Sequence, residues 1–350
     1  MKKESNLRTI IGLVVTIFCT INTFLFYNYY KTFYADNTSF KDSELYLFVP
    51  TGSDFLTLKK QITTHLKDST TFFKASKKKN FVNNVKPGKY VIKKGFSNLD
   101  IINSFKFNNI PVKVTFNNIQ RLEDFASEIS NLIEPDSLSL MKSFLGTDFL
   151  LNNQLTRESV FAIFIPNTYE FYWNSSPDNF RDRMFKYFSS FWNSERLRKA
   201  KLLNLSPIEV SVLASIVQRE TPKVDERPTI SGVYYNRILK NMKLQADPTV
   251  IYTIKQKKGF DTKIRRVLYR DLRIDSPYNT YKYRGLPPGP IYMADISSIE
   301  SVLNLETHEY LFFVADVSRP GYHMFAKNLY QHNRNKRQYT NWLRKNKIKR

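Results

Sequence analysis

The chain has 350 residues and a formal net charge of +23, with 54 Lys and Arg against 31 Asp and Glu. Such a balance suits a membrane surface, an acidic cell-wall polymer or nucleic acid, but the basic residues are spread along the chain rather than gathered in one aromatic-interleaved motif, which counts against nucleic acid. The single cysteine, Cys19, excludes an internal disulfide and a cysteine-built metal site, and His65, His308, His323 and His332 lack metal-ligand spacing, so no metal and no cofactor are expected.

Lys2, Lys3 and Arg8 precede an apolar run from Thr9 to about Phe26, near the lower length limit for a spanning helix. A cleavable signal peptide is disfavoured, because no small-x-small site follows. Phe24, Phe26, Tyr27, Tyr29, Tyr30, Phe33 and Tyr34 follow instead, an aromatic belt of the kind found at a membrane interface. The reading is a cytoplasmic tail over 1–8, a single transmembrane anchor over 9–30 and a polar linker over 31–44. The positive flank places everything beyond the anchor outside the cytoplasm, at the cytoplasmic (inner) membrane and facing the periplasmic side.

Leu45, Leu47 and Val49 alternate as in a strand, Pro50 to Asp54 is a turn with a helix cap, and Phe55 to Leu66 is helical. Lys86 to Gly95 (KPGKYVIKKG) reads as a turn and a strand, and Asn98 to Phe107 as a helix. This strand–helix–strand–helix pattern over 45–110 resembles a small carbohydrate-binding module. A strand over Pro111 to Phe116 and an amphipathic helix over Arg121 to Ile133 come next. Phe164 to Phe171 is a loop entering a strand, and Pro177 to Lys201 is a long helical region. Asp225 to Leu239 is a helix with Tyr234, Tyr235 and Ile238 inward; Asn236 and Arg237 read as packing or ion-pair residues. QADP (Gln245 to Pro248) and YNTY (Tyr278 to Tyr281) are polar loops, and RGLPPGP (Arg284 to Pro290) can be neither helix nor central strand. Tyr310 to Ala315 and Tyr322 to Phe325 flank a turn as a hairpin, and the tail from Lys327 is helical and basic. The class is α+β, without internal repeats.

One segment carries chemistry. In LSPIEVSVLASIVQRETPKVDER (Leu205 to Arg227), Ser206, Pro207 and Glu209 mark a helix start and Pro222 a stop. Leu213, Ile216 and Val217 form an apolar face, and at about 100° per residue Glu220 falls on it, while Gln218 and Arg219 point elsewhere. Burial and the negative helix end both favour the protonated acid, which is what a general acid for glycoside cleavage needs. The alternative is an ion pair between Glu220 and a neighbouring Lys or Arg.

FIPNTYEFYW, LASIVQRET, ERPTISGVYYNRI, MKLQADPTVIYTI, SPYNTYKYRGLPPGPI and YLFFVAD occur in that order between Phe164 and Asp316, with His323, Phe325 and His332 continuing the match. In this the second half resembles the endolytic murein transglycosylases of the MltG or YceG-like family. The resemblance implies a YceG-like catalytic domain over 111–350, and a LysM-like module over 45–110 on the strength of KPGKY. It implies cleavage of the β-1,4 bond between N-acetylmuramic acid and N-acetylglucosamine within peptidoglycan strands, leaving 1,6-anhydro ends. Glu220 stands at the family's catalytic acid. Gln218 departs from the family, which has an acidic residue there, and this motivates the alternative of a non-catalytic glycan-binding scaffold. Gln218, Gln245, Asp247, Asn279 and Tyr281 are the expected substrate contacts, with Asp247 before Pro248 also readable as a turn and Asn279 as a loop cap. Peptidoglycan synthases are the partners that the resemblance suggests.

Overall fold

A computed structural model describes residues 2–346, with side chains from Asn6 onward. Met1, the side chains of Lys2 and Lys3, and residues 347–350 at the end of the expected catalytic domain lie outside the described residues. The chain is mixed α+β and divides into two compact units.

The first unit comprises Met1–Lys113, Leu132–Glu134 and Glu170–Ser175. The apolar run does not stop at Phe26: helix α1 spans Lys2–Phe33, and Asn6–Phe33 is long and apolar enough to cross a membrane. Its polar residues turn back on the helix. Thr16, Thr20 and Thr23, with Asn22 and Asn28, donate to carbonyls three or four residues earlier, which satisfies each hydroxyl donor and one N–H of each amide. Strand β1 (Glu44–Val49), helices α2 (Phe55–Thr63) and α3 (Ser69–Lys78), strand β2 (Gly88–Lys93) and helix α4 (Asn98–Phe107) follow. β1 and β2 are antiparallel, from Glu44↔Lys93 to Val49↔Gly88. The order is therefore strand–helix–helix–strand–helix, one helix more than expected. α3 carries a weak sequence signal because STTFFKASKK is mostly polar, with a narrow buried face of Thr71, Phe72, Ala75 and Ser76; Asp68 caps it by accepting from the Thr70 and Thr71 amides. The segment read as a linker is built into the unit. Asn37 is buried, donating to Asn98 Oδ1 at 2.6 Å and accepting from the Asp68 amide at 2.7 Å.

The second unit comprises Val114–Asn131, Pro135–Tyr169 and Ser176–Arg350. Strand β3 (Pro111–Phe116), which begins in the first unit, pairs with β4 (Asn167–Tyr172). Between them lie α5 (Leu122–Ser130), α6 (Ser137–Phe144), α7 (Thr147–Asn152) and a 3₁₀ turn at Val160–Ile163. Phe125 anchors an aromatic core, 4.8 Å from Phe116 and 4.4 Å from Phe164 between ring centres. The long helical region over 177–201 is two helices, α8 (Pro177–Phe191) and α9 (Ser194–Leu202), because the Asn193 side chain accepts from the Arg196 amide at 3.0 Å and starts a new helix.

α10 (Pro207–Glu220) starts and stops where its signals place it, with the Ser206–Glu209 capping box formed in both directions. It is buried all round from Val210 to Val217, as the central helix of a layered unit must be. α11 (Arg227–Leu239), α12 (Asp247–Lys258) and α13 (Ile296–Leu303) pack against it. Gly232 lets α11 approach the chain at 306–308: a Cβ there meets the Glu306 carbonyl oxygen at 2.4 Å. The hairpin β5 (Phe312–Ala315) and β6 (His323–Ala326) and the basic helix α14 (Leu329–Lys345) complete the unit.

Candidate active site

Glu220 is the last residue of α10. The chain turns sharply after it: Thr221 is extended, and its hydroxyl accepts from the Lys223 amide at 3.1 Å. The Glu220 side chain is half-buried, and its Oε2 is buried with no hydrogen-bond partner among the described residues. The expected alternative fate, an ion pair with a Lys or Arg, is not formed among those residues. Burial pushes the carboxyl up to about 7 from 4.5; Asp247 adds to this, and His323, the Tyr234 hydroxyl and Arg237 pull the other way. Desolvation wins because Arg237 and His323 are committed elsewhere and the single hydrogen bond from the Tyr234 hydroxyl does not offset it.

Those commitments are visible bond by bond. Arg237, buried in α11, donates from Nε to the Leu311 carbonyl at 2.7 Å and from Nη1 to the Leu244 carbonyl at 2.5 Å. His323, at the start of β6, holds Glu226: its Nδ1 lies 2.9 Å from Oε2, and its backbone amide donates to Oε1 at 2.7 Å. Tyr234 is buried in α11, and burial followed by the Glu220 carboxyl raises its hydroxyl far above the usual range.

The two polar segments expected as loops are brought together. Thr280 accepts from the Gln245 amide through its carbonyl (3.1 Å) and from the Ala246 amide through its hydroxyl (3.0 Å), which also meets Thr249 Oγ1 at 2.8 Å. QADP is only half a loop. Gln245 takes φ +50, and Asp247 with Pro248 opens α12, a start that the Asp-Pro pair had disguised as a turn. Asp247 is exposed at this helix start and accepts from the Tyr281 hydroxyl at 2.6 Å. Burial, then that hydrogen bond, raises the Tyr281 hydroxyl well above its ordinary range. Asp247 and Tyr281 line a cleft of about 930 Å³, with Leu272, Arg265, Arg266 and the exposed Tyr269 on its other walls.

The side chains of the remaining expected contacts do not line this cleft. Gln245 is exposed. Asn279 is fully buried: its amide donates to the Leu272 and Ile274 carbonyls (3.0 and 2.7 Å) and accepts from the Tyr281 amide (3.0 Å). It works as the loop cap that shapes the Tyr281 turn, with no polar atom left over for a sugar. Gln218 turns away, its Oε1 accepting from the Asp295 amide at 2.7 Å. The proline-rich segment docks on α10 through the Ile291 amide and Ser215 Oγ (3.1 Å), and Gly289 passes so close to the Glu158 carbonyl that a Cβ would meet its oxygen at 2.0 Å.

Sequence reasoning did not assign functional roles to Tyr234, Arg237, Glu226 or His323. Each lies inside a matched motif or its continuation, but only the folded chain sets Tyr234, Arg237 and His323 around Glu220, with Glu226 holding His323. Among the described residues no group of His, Cys, Asp and Glu is arranged to hold a metal ion.

Residues 47–338 match the model of the YceG-like family. An endolytic murein transglycosylase of Bacillus subtilis is 38% identical over 180 residues, covering 50% of this chain and 46% of that protein. One from Streptococcus pneumoniae strain D39 is 38% identical over 141 residues, 40% of this chain and 25% of that protein. The chain thus spans half or less of the length of these curated relatives. The crystal structure of a yceG-like protein from Listeria monocytogenes superposes with a TM-score of 0.54 at 24% identity, covering 84% of this chain and 99% of that one, and shows a shared fold. The match of most of this chain to the family model shows that it belongs to the YceG-like family.

Proposed function

We propose that the chain is a membrane-anchored endolytic lytic transglycosylase of peptidoglycan, with Glu220 as its general acid and base. The observation that carries the reading is the Glu220 carboxyl: half-buried, unpaired at Oε2, and pushed up to about 7. At neutral pH a group with that value is divided between acid and carboxylate, so it can give a proton and take one back. Relatives named endolytic murein transglycosylases supply the substrate class.

The reaction breaks the bond between C1 of N-acetylmuramic acid and the O4 of N-acetylglucosamine. Glu220 gives its proton to the departing O4. The muramic C6 hydroxyl attacks C1, and its proton passes to the Glu220 carboxylate, restoring the acid. No water is consumed and a 1,6-anhydro end forms. One carboxyl suffices, in contrast to the carboxylate pair of ordinary glycosidases. The other nearby carboxylates are taken: Glu226 by His323, Asp247 by Tyr281. Asp247 and Tyr281 are the proposed sugar contacts, since both face the cleft. Gln245 is the nearest exposed polar side chain in sequence and a weaker proposal for the same role; Gln218 and Asn279 act through the backbone groups they hold.

α1 serves as the single-pass anchor in the cytoplasmic membrane, with Arg8 on the cytoplasmic flank and the catalytic unit outside. The β–α–α–β order of the first unit supports a LysM-like, glycan-binding role for residues 45–110. Peptidoglycan synthases are the expected protein partners on resemblance alone.

The test is digestion of uncrosslinked glycan strands by residues 36–350, with Glu220→Gln beside it and products read by mass spectrometry. Internal 1,6-anhydro products from the wild type alone support the reading. Products carrying added water would replace it with a hydrolase, and intact binding without products would favour the scaffold.

A further inference from the structure

We propose that the groove between the C-terminal part of α1 and α3 binds an anionic membrane phospholipid, the lysines of α3 taking its phosphate and α1 its acyl chain. The proposal rests on the reading of α1 as a membrane anchor. The groove measures about 1220 Å³ and lies within the first unit. One wall is α1, where Leu25, Phe26 and Tyr29 alternate with Asn22, Asn28 and Thr32; the other is Phe73 with Lys74, Lys77 and Lys78 of α3. The Asn22 and Asn28 amides donate to helix carbonyls, so the apolar side chains of α1 and the ammonium groups of α3 face the same space, which is the division of chemistry within a phospholipid.

The depth of the groove fits that occupant. At 1.5 Å per residue, a hydrocarbon layer of about 30 Å takes about 20 residues, so a span beginning after Arg8 ends near Asn28. Leu25 and Phe26 then lie in the outer hydrocarbon, and Tyr29 to Phe33 at headgroup depth. The end of α1 is fixed to the unit at that level. Asn98 Nδ2 donates to the Thr32 carbonyl at 2.9 Å, Phe33 is buried in the core, and Lys31 lies 3.6 Å from Asp68. The α3 lysines are thereby held beside the headgroup layer and not merely tethered near it.

Charge points the same way. Lys74, Lys77 and Lys78 are exposed and form no ion pair among the described residues. The neighbouring carboxylate, Asp68, is occupied by the α3 cap and Lys31. Residues 31–113 hold fifteen lysines against six acidic residues, with no arginine. A row of compact ammonium charges at the end of flexible stems suits phosphate at a membrane surface.

The experiment uses the full chain in detergent micelles, offered phosphatidylglycerol and phosphatidylcholine of matched acyl chains, with retained lipid counted by native mass spectrometry. The wild type is expected to retain phosphatidylglycerol at least tenfold over phosphatidylcholine. Lys74→Gln/Lys77→Gln/Lys78→Gln is expected to lose that preference at least tenfold, with unchanged thermal unfolding and unchanged resistance to carbonate extraction from membranes. Equal retention of the two lipids, an unaltered preference in the triple variant, or displacement by inorganic phosphate or a soluble acidic wall polymer at equal concentration would each overturn the proposal. Extraction of the wild type by carbonate would overturn the anchor reading and the lipid site with it, while indifference to the lipid by an embedded chain would overturn the lipid site alone.

Discussion

Two carboxyls at neighbouring helix ends behave in opposite ways, and the contrast isolates what makes an acid reactive. Asp295 caps the N-terminus of α13, and Glu220 closes the C-terminus of α10, which packs on α13. Gln218, two residues before Glu220, reaches across to the Asp295 amide. Both carboxyls are partly buried. Burial pushes Asp295 up, but hydrogen bonds from Ser297 and the Ser298 amide and the charge of Arg227 outweigh it, and the group sits below the ordinary range. Arg227 Nη1 is 3.0 Å from each of its oxygens. Glu220 is desolvated with fewer donors, the Tyr234 hydroxyl and none at Oε2, at the helix end whose dipole repels an anion. Burial alone does not decide the charge state; the supply of donors does.

The comparison can be broken at its reactive side first. Glu220→Gln removes the proton donor while keeping the shape, and cleavage is expected to fall by about 10²–10⁴, measured as anhydro product per unit time with binding to glycan strands as the control. A rate within threefold of wild type would move the acid elsewhere.

The structural side should fail differently. Asp295→Ala takes the cap from α13 and leaves the buried Arg227 without its partner. Arg227 keeps its hydrogen bond to Ser297 and water reaches the Asp295 side, which is 37% exposed, so urea unfolding should shift by about 1–3 kcal/mol, less than for a fully buried pair. Glycan cleavage by the folded fraction should change far less than in Glu220→Gln.

A third test uses pH. The folded Glu220 holds its proton up to about 7, the unfolded chain only to about 4.5. Between these values the folded state binds more protons, so stability is full below about 4.5 and falls as pH rises through 7. At about 1.4 kcal/mol per pH unit, the loss is of the order of 3 kcal/mol. Glu220→Gln should erase that slope, and its advantage over the wild type in thermal unfolding should appear at pH 8 and vanish at pH 4.5. Parallel curves for the two proteins would mean that Glu220 is not desolvated.

The smallest effect sharpens the assignment of neighbours. Asp247 helps to hold Glu220 protonated. Asp247→Asn should therefore move the alkaline limb of the pH–rate profile to lower pH, whatever it does to substrate affinity. An upward move would contradict the proximity of the two groups.

The sequence by itself determined the local elements that carry their own punctuation. Ser206, Pro207 and Glu209 open α10 and Pro222 follows its end; the turn before His323 makes a hairpin; KPGKY leads into β2. It also placed Glu220 on the buried side, because helical period and chain polarity act within one segment. It misread elements whose signals were ambiguous. Asp247 and Pro248 open a helix rather than a turn, Asn193 splits one helical stretch into two, and the polar surface of α3 hides its short apolar stripe. What only the tertiary structure decided is the company that each polar group keeps. Asn279 is spent on its own loop, Gln218 on Asp295, Glu226 on His323 and Tyr281 on Asp247. These partners lie from five to nearly a hundred residues apart, and no local preference encodes which donor reaches which acceptor. The carboxyl of Glu220 is distinctive through what the fold withholds from Oε2, a property of the packed surroundings that no stretch of sequence carries alone.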